Sequence, residues 1–151
     1  MSSELNELYQ QVILDHNKSP RNFGILPQFS HHAEGHNPLC GDQVDVTLTV
    51  KDGKIEDIKF SGTGCAISKA SASIMTTLVK GKTVEEAREL FEKFHDVVTD
   101  DPDAEIEVDK LGKLAIFAGV REFPSRIKCA SLPWHTLLNA LEKSNGNTIT
   151  E

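Results

Sequence analysis

The sequence is poor in several features, and each shortage narrows what the chain can do. Positive charge is short: 16 Lys and Arg stand against 23 Asp and Glu, a formal net charge of −7. A phosphate backbone is repelled by that balance and no basic stripe offsets it, so nucleic acid is not an expected partner. Long apolar runs are missing too. The longest charge-free stretch, Cys129 to Leu141, is interrupted by Pro133, His135 and Asn139 and is too short to span a bilayer. The opening Met1-Ser2-Ser3-Glu4 carries neither a basic n-region nor an apolar h-region, so the expected compartment is the cytoplasm. Cysteine is scarce and odd in number, three in 151 residues. In a reducing compartment these thiols read as reactive or metal-binding rather than bridged. No internal repeat or low-complexity tract is present.

What is there suits one domain over residues 1–151. A chain of this length buries roughly 70% of its unfolded surface, so it needs no metal merely to fold, and a metal site calls for a functional explanation. Leu5, Leu8, Tyr9, Val12 and Ile13 recur at helical spacing and predict an amphipathic helix ending before Pro20. The stretch from Pro20 to Pro38 reads as irregular, with a short edge strand near His32–Asn37. Val44, Val46, Leu48 and Val50 alternate with Asp45, Thr47 and Thr49, the pattern of a strand with one buried face. Asp52-Gly53 predicts a hairpin turn, and Ile58 and Phe60 return in a second strand, with Ile55 off register at a bulge.

The period then changes. Ile67, Ala70, Ile74 and Leu78 predict a helix over about 66–79, closed by Gly81. Thr83 and Glu86 form a capping box that opens a helix with the stripe Val84, Ala87, Leu90, Phe91 and Phe94, broken at Asp100-Asp101-Pro102-Asp103. Leu111 to Val120 reads as a short helix. A last helix carries Leu137, Leu138 and Leu141 and is expected to fray in the polar tail after Lys143. The fold class is α+β, a small three-stranded antiparallel sheet with helices packed on one face.

Cys40 lies in the loop Asn37-Pro38-Leu39-Cys40-Gly41-Asp42, before the first long strand. Cys65 ends Ser61-Gly62-Thr63-Gly64-Cys65, between strand and helix, where two glycines allow a tight turn. Pro133, best tolerated in a helix's first turn, sets the start of the last helix at or after Cys129. Two of three thiols are thus expected at helix N-termini, where dipole and free N–H groups stabilise a thiolate. Three thiolates want a fourth ligand around a tetrahedral metal. Asp42 is two residues from Cys40 and fits, though an Asx turn accounts for its position equally well. His36, and more remotely His31 and His32, are rival ligands; His135 lies about 240° round the helix from Cys129, and His95 reads as a surface residue.

Cys40-Gly41-Asp42, then Ser61-Gly62-Thr63-Gly64-Cys65-Ala66-Ile67-Ser68-Lys69-Ala70-Ser71, then Ile127-Lys128-Cys129-Ala130 resemble the IscU/NifU N-terminal family of iron–sulfur cluster assembly proteins. The resemblance runs from the first helix through Leu141 and implies a metal or cluster site at Cys40, Asp42, Cys65 and Cys129. Two departures point to its SufU branch. Scaffold-type IscU proteins place a histidine before the third cysteine, where this chain has Lys128, and carry a Leu-Pro-Pro-Val-Lys segment read by a dedicated Hsp70, where this chain has Phe123-Pro124-Ser125-Arg126-Ile127-Lys128. The Cys65–Cys129 interval is also longer, by an insertion within roughly Val97–Ala118. The branch implies Zn²⁺ in a Cys₃Asp site, sulfur taken from a SufS-type cysteine desulfurase and passed to downstream assembly proteins, and no Hsp70 handoff. It leaves a transient [2Fe–2S] cluster or iron on a scaffold as the alternative; a purely structural zinc module is the third reading. Cys40, in a Pro/Gly loop, is the expected nucleophile, ahead of Cys129. Arg126, Lys128 and Trp134 are the expected docking residues for the desulfurase, with a buried core position the competing reading for Trp134.

Overall fold

A computed structural model describes residues 3–38, 41–100, 111–120, 123–142 and 145–149. Helix α1 (Ser3–Lys18) precedes strands β1 (His31–Asn37), β2 (Asp42–Lys51) and β3 (Lys54–Thr63). Helices α2 (Ala66–Val79) and α3 (Val84–Thr99), a 3-10 helix (Gly112–Val120), α4 (Pro124–Glu142) and strand β4 (Asn145–Ile149) follow. The break expected at Asp101-Pro102-Asp103 lies outside the described residues, as does much of the expected insertion.

The alternating pattern of β2 produces what it predicts. Val44, Val46 and Leu48 are buried, and β2 pairs antiparallel with β3 and with β1. Asp52 and Gly53 both take positive φ, +54° and +76°, which gives the two-residue hairpin the twist of its strands. The register slips between Thr49 and Val50, so the bulge expected around Ile55 is present and turns both Ile55 and Ile58 into the core.

The sheet has four strands in the order β3-β2-β1-β4, and here two expectations are corrected. The tail after Lys143 does not simply fray: β4 pairs parallel with β1, from His32↔Asn145 to His36↔Ile149. Strand β1 is therefore interior, not an edge. Ile149 is the one large apolar residue in the tail, too little to mark a strand by pattern; a strand can form by satisfying a neighbour's backbone donors and acceptors.

Helices α2 and α4 lie on the core face. Gly35 in β1 is what lets α4 approach: a Cβ there would stand 2.0 Å from Thr136 Oγ1 and 3.0 Å from Leu132 Cδ1. Helix α2 is buried nearly all round, through Ser68, Ala70–Thr76 and Val79. Helix α1 packs Tyr9, Val12 and Ile13 on the core but leaves Leu8 exposed, contrary to the expected stripe. Residues 23–30 run along β3 and then cross the other sheet face, where Leu26 N–H donates to Thr47 Oγ1 and Thr49 Oγ1 to the Gln28 carbonyl.

Helix α4 corrects the placement of Cys129. It begins at Pro124, whose missing N–H costs nothing in the first turn, with the Phe123 carbonyl accepting from Arg126 and Ile127 N–H. Pro133 is interior instead. A proline there costs about 3 kcal/mol. Full burial of Leu132, Trp134 and Leu137 from the same segment returns about 1.5–3 kcal/mol each, so packing prevails.

Candidate metal centre

Asp42 opens β2 on the core face and is fully buried. Cys65 is the N-cap of α2, with extended backbone angles, φ −72° and ψ 165°. Its thiol accepts a hydrogen bond from Ser68 N–H at 3.4 Å, and its backbone N–H donates to Asp42 Oδ1 at 2.8 Å. Cys65 Sγ donates to Asp42 Oδ2 at 3.8 Å. A main-chain donor and the positive end of a helix thus both face the sulfur.

The close approach depends on two glycines. A Cβ on Gly64 would sit 2.5 Å from Asp42 Oδ1, and one on Gly62 would sit 2.0 Å from the Gln43 carbonyl; both have positive φ, +158° and +139°. From the other side Cys129 points in from the second turn of α4 and is buried. Ser71 on α2 donates to the Ala130 carbonyl at 2.6 Å, pinning α4 beside Cys129. The sequence offered no signal for this role of Ser71 beyond its place among small residues on α2.

Ligand atoms of Asp42, Cys65 and Cys129 lie within 4.8 Å of one another. A tetrahedral zinc with bonds of about 2.0–2.3 Å holds its ligand atoms roughly 3.3–3.8 Å apart, so the three donors need only a small closing movement. Two thiols, a carboxylate and no disulfide between them make a donor set suited to zinc. Cys40 lies outside the described residues. Pro38 and Gly41 on either side of it are exposed.

No histidine joins the three. His36 is exposed on the opposite sheet face from Asp42, and His31 and His32 are in the same strand further off. His135 packs edge-on against Phe91 at 5.1 Å, and exposed His95 stacks on the same ring. Burial, then the charge of His95, lowers the pKa of His135.

Of the expected docking residues, Arg126 is exposed with its guanidinium 4.3 Å over the Phe123 ring, and Lys128 is half-buried. Trp134 is corrected: it is fully buried, stacked on Phe94 at 4.8 Å, and cannot offer its ring to a partner in this fold. A large apolar ring gains most by leaving water, which here decided between the two readings.

A buried carboxylate and two thiols at the meeting point of a strand, a helix start and a helix side make a candidate thiolate–carboxylate metal centre on an α+β scaffold. The family model for the NifU-like N terminal domain matches residues 8–130, and the chain belongs to that family, which includes the IscU and SufU proteins. It is 41% identical over 145 residues to the zinc-dependent sulfurtransferase SufU of Bacillus subtilis, covering 96% of this chain and 97% of that one. It is also 41% identical over 150 residues to the iron–sulfur cluster assembly scaffold protein IscU of Streptococcus pyogenes serotype M1, covering 99% and 92%. A solved structure assigned as an iron–sulfur cluster assembly scaffold for the SUF system of Fervidobacterium islandicum AW-1 superposes with a TM-score of 0.80 at 35% identity, covering 93% and 99%. Among the described residues no helix is long and apolar enough to cross a membrane.

Proposed function

We propose that this chain, acting as one domain, is a zinc-bound sulfur acceptor in iron–sulfur cluster biogenesis, taking persulfide sulfur from a SufS-type cysteine desulfurase in the cytoplasm. The observation that carries it is the grouping of Asp42, Cys65 and Cys129; Cys40, two residues before Asp42 in the sequence, is the proposed fourth ligand. Zinc bound by these four keeps the thiols deprotonated and shields them from oxidation.

The residues divide the work. Cys65 and Cys129 are anchored by a helix cap and by core packing, and Asp42 is locked by the Cys65 N–H. Cys40, between exposed Pro38 and Gly41, is the nucleophile. Its thiolate attacks the outer sulfur of the desulfurase persulfide; the new S–S bond forms on Cys40 as the old one breaks, and the desulfurase cysteine leaves as thiolate. The reverse logic then passes the sulfur to a downstream assembly protein. Arg126, one turn before Cys129 on α4, and Lys128, immediately before it, supply the docking charge. Arg126→Ala is expected to weaken desulfurase activation at low salt while zinc content and melting temperature stay at wild-type values. Activation by Arg126→Ala equal to that by wild type at both low and high salt would move the docking surface elsewhere.

A second reading is a scaffold for a [2Fe–2S] cluster on the same four residues, supported by the equally similar Streptococcus IscU. Elemental analysis with a visible spectrum separates them: one zinc per chain and no colour supports the sulfur acceptor, whereas iron with visible absorption supports the scaffold. Alkylation and mass spectrometry after reaction with the desulfurase then locate the persulfide; finding it on Cys129 would overturn the role of Cys40.

A further inference from the structure

The sheet face turned away from the core holds a second group of potential ligands. Strand periodicity puts His32 and Glu34 of β1 and Asp45 of β2 on this face, because Ala33, Gly35, Val44 and Val46 occupy the buried one. Glu34 stands directly opposite Asp45, and His32 stands opposite Thr47, diagonal to Asp45. One ligand atom from each of the three lies within 4.8 Å of the others.

Two like charges directly opposed across an antiparallel pair repel, and neither carboxylate is in an ion pair with Lys or Arg among the described residues. The ion pairs among the described residues are Arg21–Asp15 and Lys80–Asp57, both elsewhere. Asp45 Oδ1 is shut off from solvent with no hydrogen-bond partner among the described residues. A sheltered carboxylate oxygen without a donor calls for a cation or a proton. Burial, then the charge of Glu34, raises the Asp45 pKa, and His32 opposes this.

We infer that His32, Glu34 and Asp45 form a second divalent-cation site, separate from the thiolate centre, for a first-row ion that prefers oxygen and imidazole. The site is built on interior strands, so its donors are held at fixed spacing. The Phe29 ring lies 5.5 Å from the His32 ring and limits its rotation. Residues 25–30 wall one side, and exposed Glu34 leaves the other open to water ligands. The donor set is one nitrogen and two carboxylates, which suits Mn²⁺ and its neighbours, where the two-thiol set around Asp42 suits zinc. Asp42 and Asp45 are three residues apart on β2, so their side chains leave opposite faces and the two sites do not share a ligand.

The test uses the full chain with the metal of its thiolate centre in place, titrated with MnCl₂ while the six-line electron paramagnetic resonance signal of free Mn²⁺ is recorded. Binding of one Mn²⁺ per chain is expected, weakened tenfold or more by each of His32→Ala, Glu34→Gln and Asp45→Asn. Zinc content should be unchanged in all three, and Mn²⁺ should raise the melting temperature of wild type but not of Asp45→Asn. Glu34→Gln alters an exposed side chain and serves as the decisive variant if either other one folds poorly. No binding below millimolar Mn²⁺ overturns the inference. So does binding that Glu34→Gln leaves intact, since that is diffuse attraction to an acidic surface.

Discussion

Cys65 and Cys129 face the same point from structurally opposite situations. Cys65 is the first residue at a helix start, half-buried, its thiol and backbone tied to Asp42 and Ser68 by directed hydrogen bonds. Cys129 is in the body of a longer helix, 4% exposed, carried into place by the packing of Leu132, Trp134 and Leu137 behind it. One arm of the centre is built by local backbone geometry and the other by the core. The two should therefore fail in different ways.

The largest effect is expected on the Cys65 arm. Gly64→Ala forces a Cβ against Asp42 Oδ1, and Gly62→Ala forces one against a main-chain carbonyl. Each should cost about 2–4 kcal/mol in urea unfolding, and Gly64→Ala should also lose most of its zinc by elemental analysis. Retention of full zinc by Gly64→Ala would show that Asp42 is not held as a ligand by this turn.

Serine substitution sharpens the contrast. Both Cys65→Ser and Cys129→Ser should lose zinc. In metal-free protein, however, Cys129→Ser should be less stable than Cys65→Ser by about 1–2 kcal/mol, because a hydroxyl replaces sulfur in a buried site. Serine is itself a favoured N-cap, so Cys65→Ser keeps the start of α2. Equal stabilities would mean that the two arms are not different in kind.

Smaller again is Ser71→Ala, which removes the bond to the Ala130 carbonyl between α2 and α4. A loss of about 1 kcal/mol is expected, with weaker zinc binding through Cys129 and an unaltered α2 start. Zinc affinity can be read by competition with a chromophoric chelator.

The smallest effect is on pH dependence. His16, buried beside α2 with its ring bonded to Ser73 Oγ at 2.7 Å, has its pKa lowered from 6.5 by burial, then by Arg21. The unfolded chain binds a proton there before the folded one does. Stability from His16 is therefore present above pH 6.5 and is lost as pH falls below it toward the lowered value. His135 on α4 acts in the same direction. Thermal unfolding of metal-free His16→Gln between pH 7 and 5 should show a shallower slope than wild type, leaving the share of His135.

Much of this was legible in local pattern. The β2–β3 hairpin, its bulge, α2 and the Thr83–Glu86 capping box are each specified by residues within a few positions of one another. Asp42 and Cys65 were legible for the same reason, since turn glycines and a helix start mark them. Cys129 does meet Asp42 and Cys65, but from inside its helix and not from the helix start. Two prolines competed for the first turn, and only burial of the segment around Pro133 shows that Pro124 is the one that begins it. Trp134 was ambiguous because an aromatic ring suits a core and an interface equally well in one dimension.

The sequence alone determined the chemistry available: three thiols, a carboxylate beside one of them, glycines where the chain must turn, and an acidic charge balance. Periodicity and capping are short-range, so those features survive without knowledge of the rest of the chain. Tertiary structure decided what meets what. It brought Cys129 to Asp42 across 86 intervening residues, set β4 against β1, hid Trp134, and opposed Glu34 to Asp45 on the far face. Those outcomes depend on register and on which surfaces gain most by leaving water, and both are properties of the packed chain rather than of any segment.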